Sequence, residues 1–129
     1  MAGRSKKRIL VIDDEPDIRN ICRRALTLAG FEAETAANGE EARQLVGRND
    51  YDLYLVDIRM PVLNGEEFYH WLESEQPQKA QRVIFMTGSS ASDETGRFLR
   101  TSGRAFLLKP FSISELEQAV RRVLKETAG

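Results

Sequence analysis

Four short apolar runs punctuate the chain, at Ile9–Ile12, Leu53–Val56, Val83–Met86 and Ala105–Leu108. Each is nearly unbroken and about strand length, the pattern of a strand buried on both faces. A fifth, weaker run, Phe31–Thr35, alternates apolar and polar positions as an edge strand does. Between the runs the period becomes helical. Pro16 suits a first helical turn, and Ile18, Ile21, Cys22 and Ala25 then recur at i, i+3, i+4 and i+7 until Gly30 stops the helix. Asn38-Gly39 precedes a short helix over Glu40 to Val46, and Asn64-Gly65 precedes another with Phe68 and Leu72 one turn apart. The last helix is the best marked. Ser112 and Glu115 make a capping box, and Leu116, Ala119, Val120, Val123 and Leu124 form its buried stripe. The segment Ser92–Thr101 is the poorest, with Gly96 inside it and only Phe98 and Leu99 to pack; it predicts a short or mobile helix. Five strands alternating with five helices predict an α/β fold, a doubly wound five-stranded parallel sheet with helices on both faces.

Composition narrows the function classes. The 129 residues fit one domain, with residues 1–7 as a basic lead-in carrying Arg4, Lys6 and Lys7, and 8–127 as the folded unit. Nineteen basic and twenty acidic residues give a net charge of −1, which gives no support to a nucleic-acid-binding surface. No apolar run approaches the ~20 residues of a membrane span, and no signal-like segment opens the chain, so an intracellular, cytoplasmic domain is expected. One cysteine, Cys22, excludes an internal disulfide and a cysteine zinc site; its place on a helical apolar stripe predicts an inert core residue. One histidine, His70, excludes a histidine metal cluster, and with Trp71 it reads as a surface or packing residue.

The chemistry should lie beyond the carboxyl ends of the strands, where doubly wound sheets bind ligands. The first run leads into Asp13-Asp14, the third into Asp57, the fourth into Thr87 and the fifth into Lys109. Three carboxylates in one partly buried site repel one another, and a hard divalent cation relieves that repulsion. Oxygen donors alone, few in number, favour Mg²⁺. Lys109 adds a positive charge on the far side and Thr87 a hydrogen-bond donor. Together they would cradle a dianionic group such as phosphoryl.

With these residues in place, the chain resembles the receiver domain of two-component response regulators. The motifs are Val11-Ile12-Asp13-Asp14-Glu15-Pro16, Asp57-Ile58-Arg59-Met60-Pro61 with Gly65, Met86-Thr87-Gly88 and Leu108-Lys109-Pro110-Phe111. They fall in order, 44, 30 and 22 residues apart from Asp13 through Asp57 and Thr87 to Lys109, and the resemblance runs from Arg8 to Lys125. It implies a flavodoxin-like (βα)5 fold and a signalling phosphoacceptor rather than an enzyme, with only self-catalysed phosphotransfer and autodephosphorylation. By the same resemblance Asp57 is the nucleophile and phosphorylation site, taking its group from a phosphohistidine on a histidine kinase or a histidine phosphotransfer protein. Asp14, Asp57 and the backbone carbonyl of Arg59 would bind Mg²⁺, with Asp13 acting mainly through water. Lys109 and Thr87 would hold phosphoryl oxygens, Phe106 would be the switch aromatic, and Lys109-Pro110 would carry a cis peptide. A downstream protein or a second copy would bind the face formed by residues 92–124, with no nucleic acid or membrane bound by this domain.

Some positions depart from the family's commonest pattern. Phe106 stands where tyrosine is frequent, so no hydroxyl marks the switched state. Arg59 and Ser89 occupy the positions that tune phosphoryl lifetime; the Arg59 guanidinium could hold the phosphoryl group, exclude water or face solvent. Arg59 also speaks against an aspartyl phosphatase, which carries a second Asp there. The complete set Asp13, Asp14, Asp57 and Lys109 speaks against a pseudo-receiver. The length predicts a receiver without an output domain in this chain, whether a stand-alone regulator, a fragment of a longer one or the receiver end of a hybrid histidine kinase, and the stretch Thr101–Phe111 leans toward the last.

Overall fold

The apolar runs lie side by side as parallel strands in the computed structural model, which describes residues 6–88 and 93–128. The strands are β1 (Arg8–Ile12), β2 (Glu32–Ala36), β3 (Leu53–Asp57), β4 (Val83–Thr87) and β5 (Ala105–Leu108). They form one sheet in the order β2-β1-β3-β4-β5. The helices are α1 (Pro16–Leu28), α2 (Gly39–Arg48), α3 (Gly65–Glu75), α4 (Pro77–Ala80), α5 (Asp93–Ser102) and α6 (Ile113–Glu126). Arg4 of the lead-in and Ser89 lie outside the described residues.

Alternate side chains of each central strand face opposite ways, and each set finds its own core. Leu10, Ile12, Tyr54, Val56 and Phe85 pack with Ala42, Val46, Phe68, Leu72 and Leu99 from α2, α3 and α5. Ile9, Val11, Leu53, Leu55, Ile84 and Met86 pack with Cys22, Leu26, Leu116, Val120 and Val123 from α1 and α6. Both sides of β1, β3 and β4 are therefore dry, as their unbroken apolar runs require.

The helix ends follow local chemistry. Asn38 Oδ1 accepts the Glu41 N–H at the start of α2. Asn64 and Glu67 form a reciprocal capping box on α3, as Ser112 and Glu115 do on α6. The Asn64–Glu67 box has the same form as the one on the last helix.

Three expectations are corrected. Ala105–Leu108 is not buried on both faces: β5 is an edge strand, with Phe106 and Leu108 about half exposed, because no strand follows it and α6 covers one side only. There are six helices among the described residues, not five; Pro77 restarts the chain as the single turn α4 after α3 ends at Glu75. Ile21 is 52% exposed, because the buried stripe of α1 is centred on Ile18, Cys22, Ala25 and Leu26, and Ile21 lies off its edge.

The starting edge of the sheet is pinned by polar groups. Arg8 N–H donates to Asp52 Oδ2 at 2.8 Å, while the Arg8 guanidinium and the Tyr51 hydroxyl both donate to Glu34. These bonds join β1, β2 and the lead into β3. The opposite edge carries the chemistry.

Candidate functional site

Backbone pairing continues just past the strands and fixes the residues that follow. Asp13 N–H donates to the Ala36 carbonyl, Ile58 N–H to Met86 and Lys109 N–H to Thr87, at 3.1, 3.1 and 2.8 Å. The loop after Asp57 is held by Gly65 N–H donating to the Ile58 carbonyl at 3.0 Å. A Cβ at Gly65 would be driven into the Asp57 carbonyl oxygen, so glycine there permits this close approach. The Lys109–Pro110 peptide bond is cis, as expected.

One carboxylate oxygen each from Asp13, Asp14, Glu15 and Asp57 lies within 4.8 Å of the others. Asp13 is fully buried and Asp57 is 5% exposed, while Asp14 and Glu15 face solvent. Asp13 Oδ1 accepts the Glu15 N–H at 2.9 Å, and the Arg19 guanidinium donates to the Asp13 carbonyl at 2.8 Å. Asp57 Oδ1 accepts the Arg59 N–H at 3.3 Å. Lys109 Nζ sits in front of the cluster, 2.7 Å from Asp13 Oδ2, 3.0 Å from Glu15 Oε1 and 3.5 Å from Asp57 Oδ2. The ammonium sits directly on these carboxylates, which attract it.

The charges reshape one another. Burial, then the Asp13 charge, push the Asp57 carboxyl up to about 7, with Lys109 and the Arg59 N–H pulling the other way. Burial works against the Lys109 charge, but Asp13, Glu15 and Asp57 outweigh it and raise its pKa. Cys22 lies behind the site, its thiol pushed up to about 12 by burial and by the Asp13 charge, which fits the inert core role expected of it.

The structure thus gathers Asp13, Asp14, Asp57 and Lys109, with Thr87 buried at the end of the neighbouring strand. Arg59 is exposed beside Asp57. Phe106 is not drawn into the cluster; it sits on β5 opposite Phe85, 46% exposed. Glu15 is the residue that sequence reasoning left without a role. Its signal was a glutamate at the N-cap of α1, a position that favours shorter capping side chains. His70 is a surface residue, with Nδ1 3.8 Å from Glu73 Oε1 and its ring edge-on to Phe98. It lines a cleft of about 460 Å³ between α3 and α5, apart from the acidic cluster.

A buried acid pair facing a lysine, at the strand-end edge of a 2-1-3-4-5 parallel sheet, places the chain among doubly wound α/β domains with a cation-attracting site. The family model of the response regulator receiver domain matches residues 9–121, and the chain belongs to that family. It is 36% identical over 125 residues to "Probable transcriptional regulator ycf27" of Cyanophora paradoxa, covering 95% of this chain and 50% of that protein. The chain spans about half or less of the length of the curated relatives it matches. Among solved structures it is similar to a CheY-like receiver domain protein of Methanospirillum hungatei, with TM-score 0.88 and 30% identity over 96% of this chain and 98% of that one. It is also similar to the response regulator TrrA of Thermotoga maritima in complex with Mg²⁺-BeF, with TM-score 0.78 and 33% identity over 91% and 98%. The fold is CheY-like and the chain is a receiver domain of two-component signalling. No helix among the described residues is long and apolar enough to cross a membrane.

Proposed function

We propose that Asp57 is the phosphoacceptor of a phosphorelay and that the domain, residues 8–127, catalyses its own modification in a Mg²⁺-dependent reaction. The observation that carries this reading is the buried Asp57 carboxylate, set among three other carboxylates and faced by Lys109 at 3.5 Å.

Asp57 attacks the phosphorus of a phosphohistidine on a histidine kinase or phosphotransfer protein. An O–P bond forms, the P–N bond breaks, and its electron pair returns to the imidazole. Phosphoryl transfer needs placement and charge neutralisation more than a strong base. Lys109 supplies a fixed positive charge for one phosphoryl oxygen, and Thr87 donates to another. Attack by water on the same phosphorus would release inorganic phosphate and restore Asp57. Arg59, exposed beside Asp57, and Ser89, two positions after Thr87 in the sequence, set the rate of this step.

The residues fit a hard cation. The donor set is all oxygen, and Asp13 Oδ2 is fully buried with Lys109 as its counter-charge and no aligned hydrogen bond among the described residues. Asp14, Asp57 and the Arg59 carbonyl would hold Mg²⁺, with Asp13 acting through water. When bound, the ion neutralises charge on the phosphoryl oxygens. The similar TrrA is in complex with Mg²⁺-BeF, which supports a divalent cation here.

Phosphorylation would draw Thr87 toward the new group and turn Phe106 inward, shifting the population of the α5–β5–α6 face that a downstream protein or a second copy binds. Such a domain works in the cytoplasm, beside its kinase, and binds no nucleic acid itself. The test is incubation with Mg²⁺ and acetyl phosphate followed by intact mass. One added phosphoryl group is expected, absent in Asp57→Asn; no gain in the parent chain overturns the reading.

A further inference from the structure

Lys109 has three N–H donors and faces three carboxylates: Asp13 at 2.7 Å, Glu15 at 3.0 Å and Asp57 at 3.5 Å. These partners differ in their freedom. Asp13 is buried, and its other oxygen and its carbonyl are tied to the Glu15 N–H and to Arg19. Asp57 is buried at the strand end. The Glu15 side chain is 60% exposed and makes no capping bond at the start of α1, although its backbone occupies the N-cap. It leaves its own helix end and reaches instead to a lysine 94 positions away in the chain. Of the three carboxylates, it can withdraw without opening the core.

We propose that Glu15 is a positioning residue that holds the Lys109 ammonium in the resting site and yields it when a phosphoryl group occupies Asp57. This rests on Asp57 being the phosphoacceptor. A dianionic group on Asp57 requires donors from Lys109, and the hydrogen bond to Glu15 at 3.0 Å already engages one of them. Exposed ion pairs are weak, so the pair with Glu15 is the one that gives way. Glu15 thereby sets a small opposing force against phosphorylation and takes no part in the bond changes.

The experiment titrates beryllofluoride, a phosphoryl mimic, into the 129-residue chain at saturating Mg²⁺, following the backbone amide signals of Thr87 and Lys109 by NMR. Glu15→Gln should bind the mimic about two- to fivefold more tightly than the parent, the range expected for loss of a competing exposed pair. Glu15→Asp keeps the charge but is one methylene too short to span to Nζ, so it should tighten binding as Gln does. If Asp behaves as the parent while Gln tightens, charge through space is responsible and the proposal is overturned. Unchanged binding in both variants also overturns it. So does weaker binding in both, accompanied by weaker binding of Mg²⁺ alone, which would make Glu15 a cation ligand. A parent chain that binds no mimic at all sinks the phosphoacceptor reading and this proposal with it. Normal parent binding with unchanged variants removes only the role of Glu15.

Discussion

Asp57 carries a cost that its surroundings only partly offset. Its carboxyl is pushed to about 7 by burial and by Asp13, against an ordinary value near 4 in the unfolded chain. The folded state therefore binds this proton more tightly than the unfolded state, and stability from this group falls as pH rises from about 4 through 7. In chelator-treated protein, Asp57→Asn should be more stable than the parent by about 1–3 kcal/mol at pH 8 and close to it near pH 4, measured by urea unfolding. The same argument gives Mg²⁺ its direction. At a hundred times its dissociation constant the ion should stabilise the fold by about 2.7 kcal/mol. Because the carboxylate it meets is ionised above pH 7, thermal unfolding should show a larger shift at pH 8 than at pH 5. Equal shifts at both would contradict the assignment of Asp57 as a ligand. Asp13, Asp57 and Lys109 were legible in the sequence because each directly follows an apolar run, and Asp14 because it is next to Asp13, so all land on one edge of the sheet. The grip of Lys109 on Glu15 was not, since nothing in the local spacing shows where an exposed side chain will turn.

At the scale of elements, the same substitution should act in opposite directions at two glycines. Gly47 lies in α2 with open space where a Cβ would go, so Gly47→Ala should stabilise by about 0.5–1 kcal/mol. Gly65 begins α3 against the backbone of Asp57 and Ile58, and Gly65→Ala should cost about 1–3 kcal/mol as that backbone shifts. Urea midpoints measure both. α5 is held by few buried side chains, Leu99 foremost with Phe98 partly covered, whereas α6 buries Leu116, Val120 and Val123. Backbone amides of Glu94–Ser102 should therefore exchange with solvent faster than those of Leu116–Leu124, and equal protection would count against a marginal helix. The poor apolar stripe of this segment already showed that weakness in the sequence. The turn after Asp57 showed nothing comparable. Val62 adopts φ of 69°, a region that β-branched residues rarely enter, and Leu63 N–H closes the turn onto the Pro61 carbonyl at 2.8 Å. A pattern of residue types carries no sign of a valine held that way by its neighbours.

At the scale of the molecule, strand number, direction and layering followed from the switching of period between apolar runs and helices, because runs without a wet side require helices on both faces. The half-exposed β5 was misjudged for a related reason: four apolar residues in a row look the same whether two helices cover them or one, and only the strand order shows which strand is last. Strand direction has a mechanical consequence as well. The chain enters β1 at Arg8, on the edge pinned through Asp52, Glu34 and Tyr51. It leaves α6 at Thr127, whose carbonyl accepts from Arg82 just ahead of β4 at 3.1 Å, on that same edge. Both ends of the described chain therefore stand one strand length, roughly 17 Å, from the acidic cluster. A surface tether or dye attached beside Arg8 or Thr127 leaves the acidic edge clear. A pulling force applied between the two ends would load the pinned edge first, leaving Asp57 and Lys109 unstrained until that edge gives way.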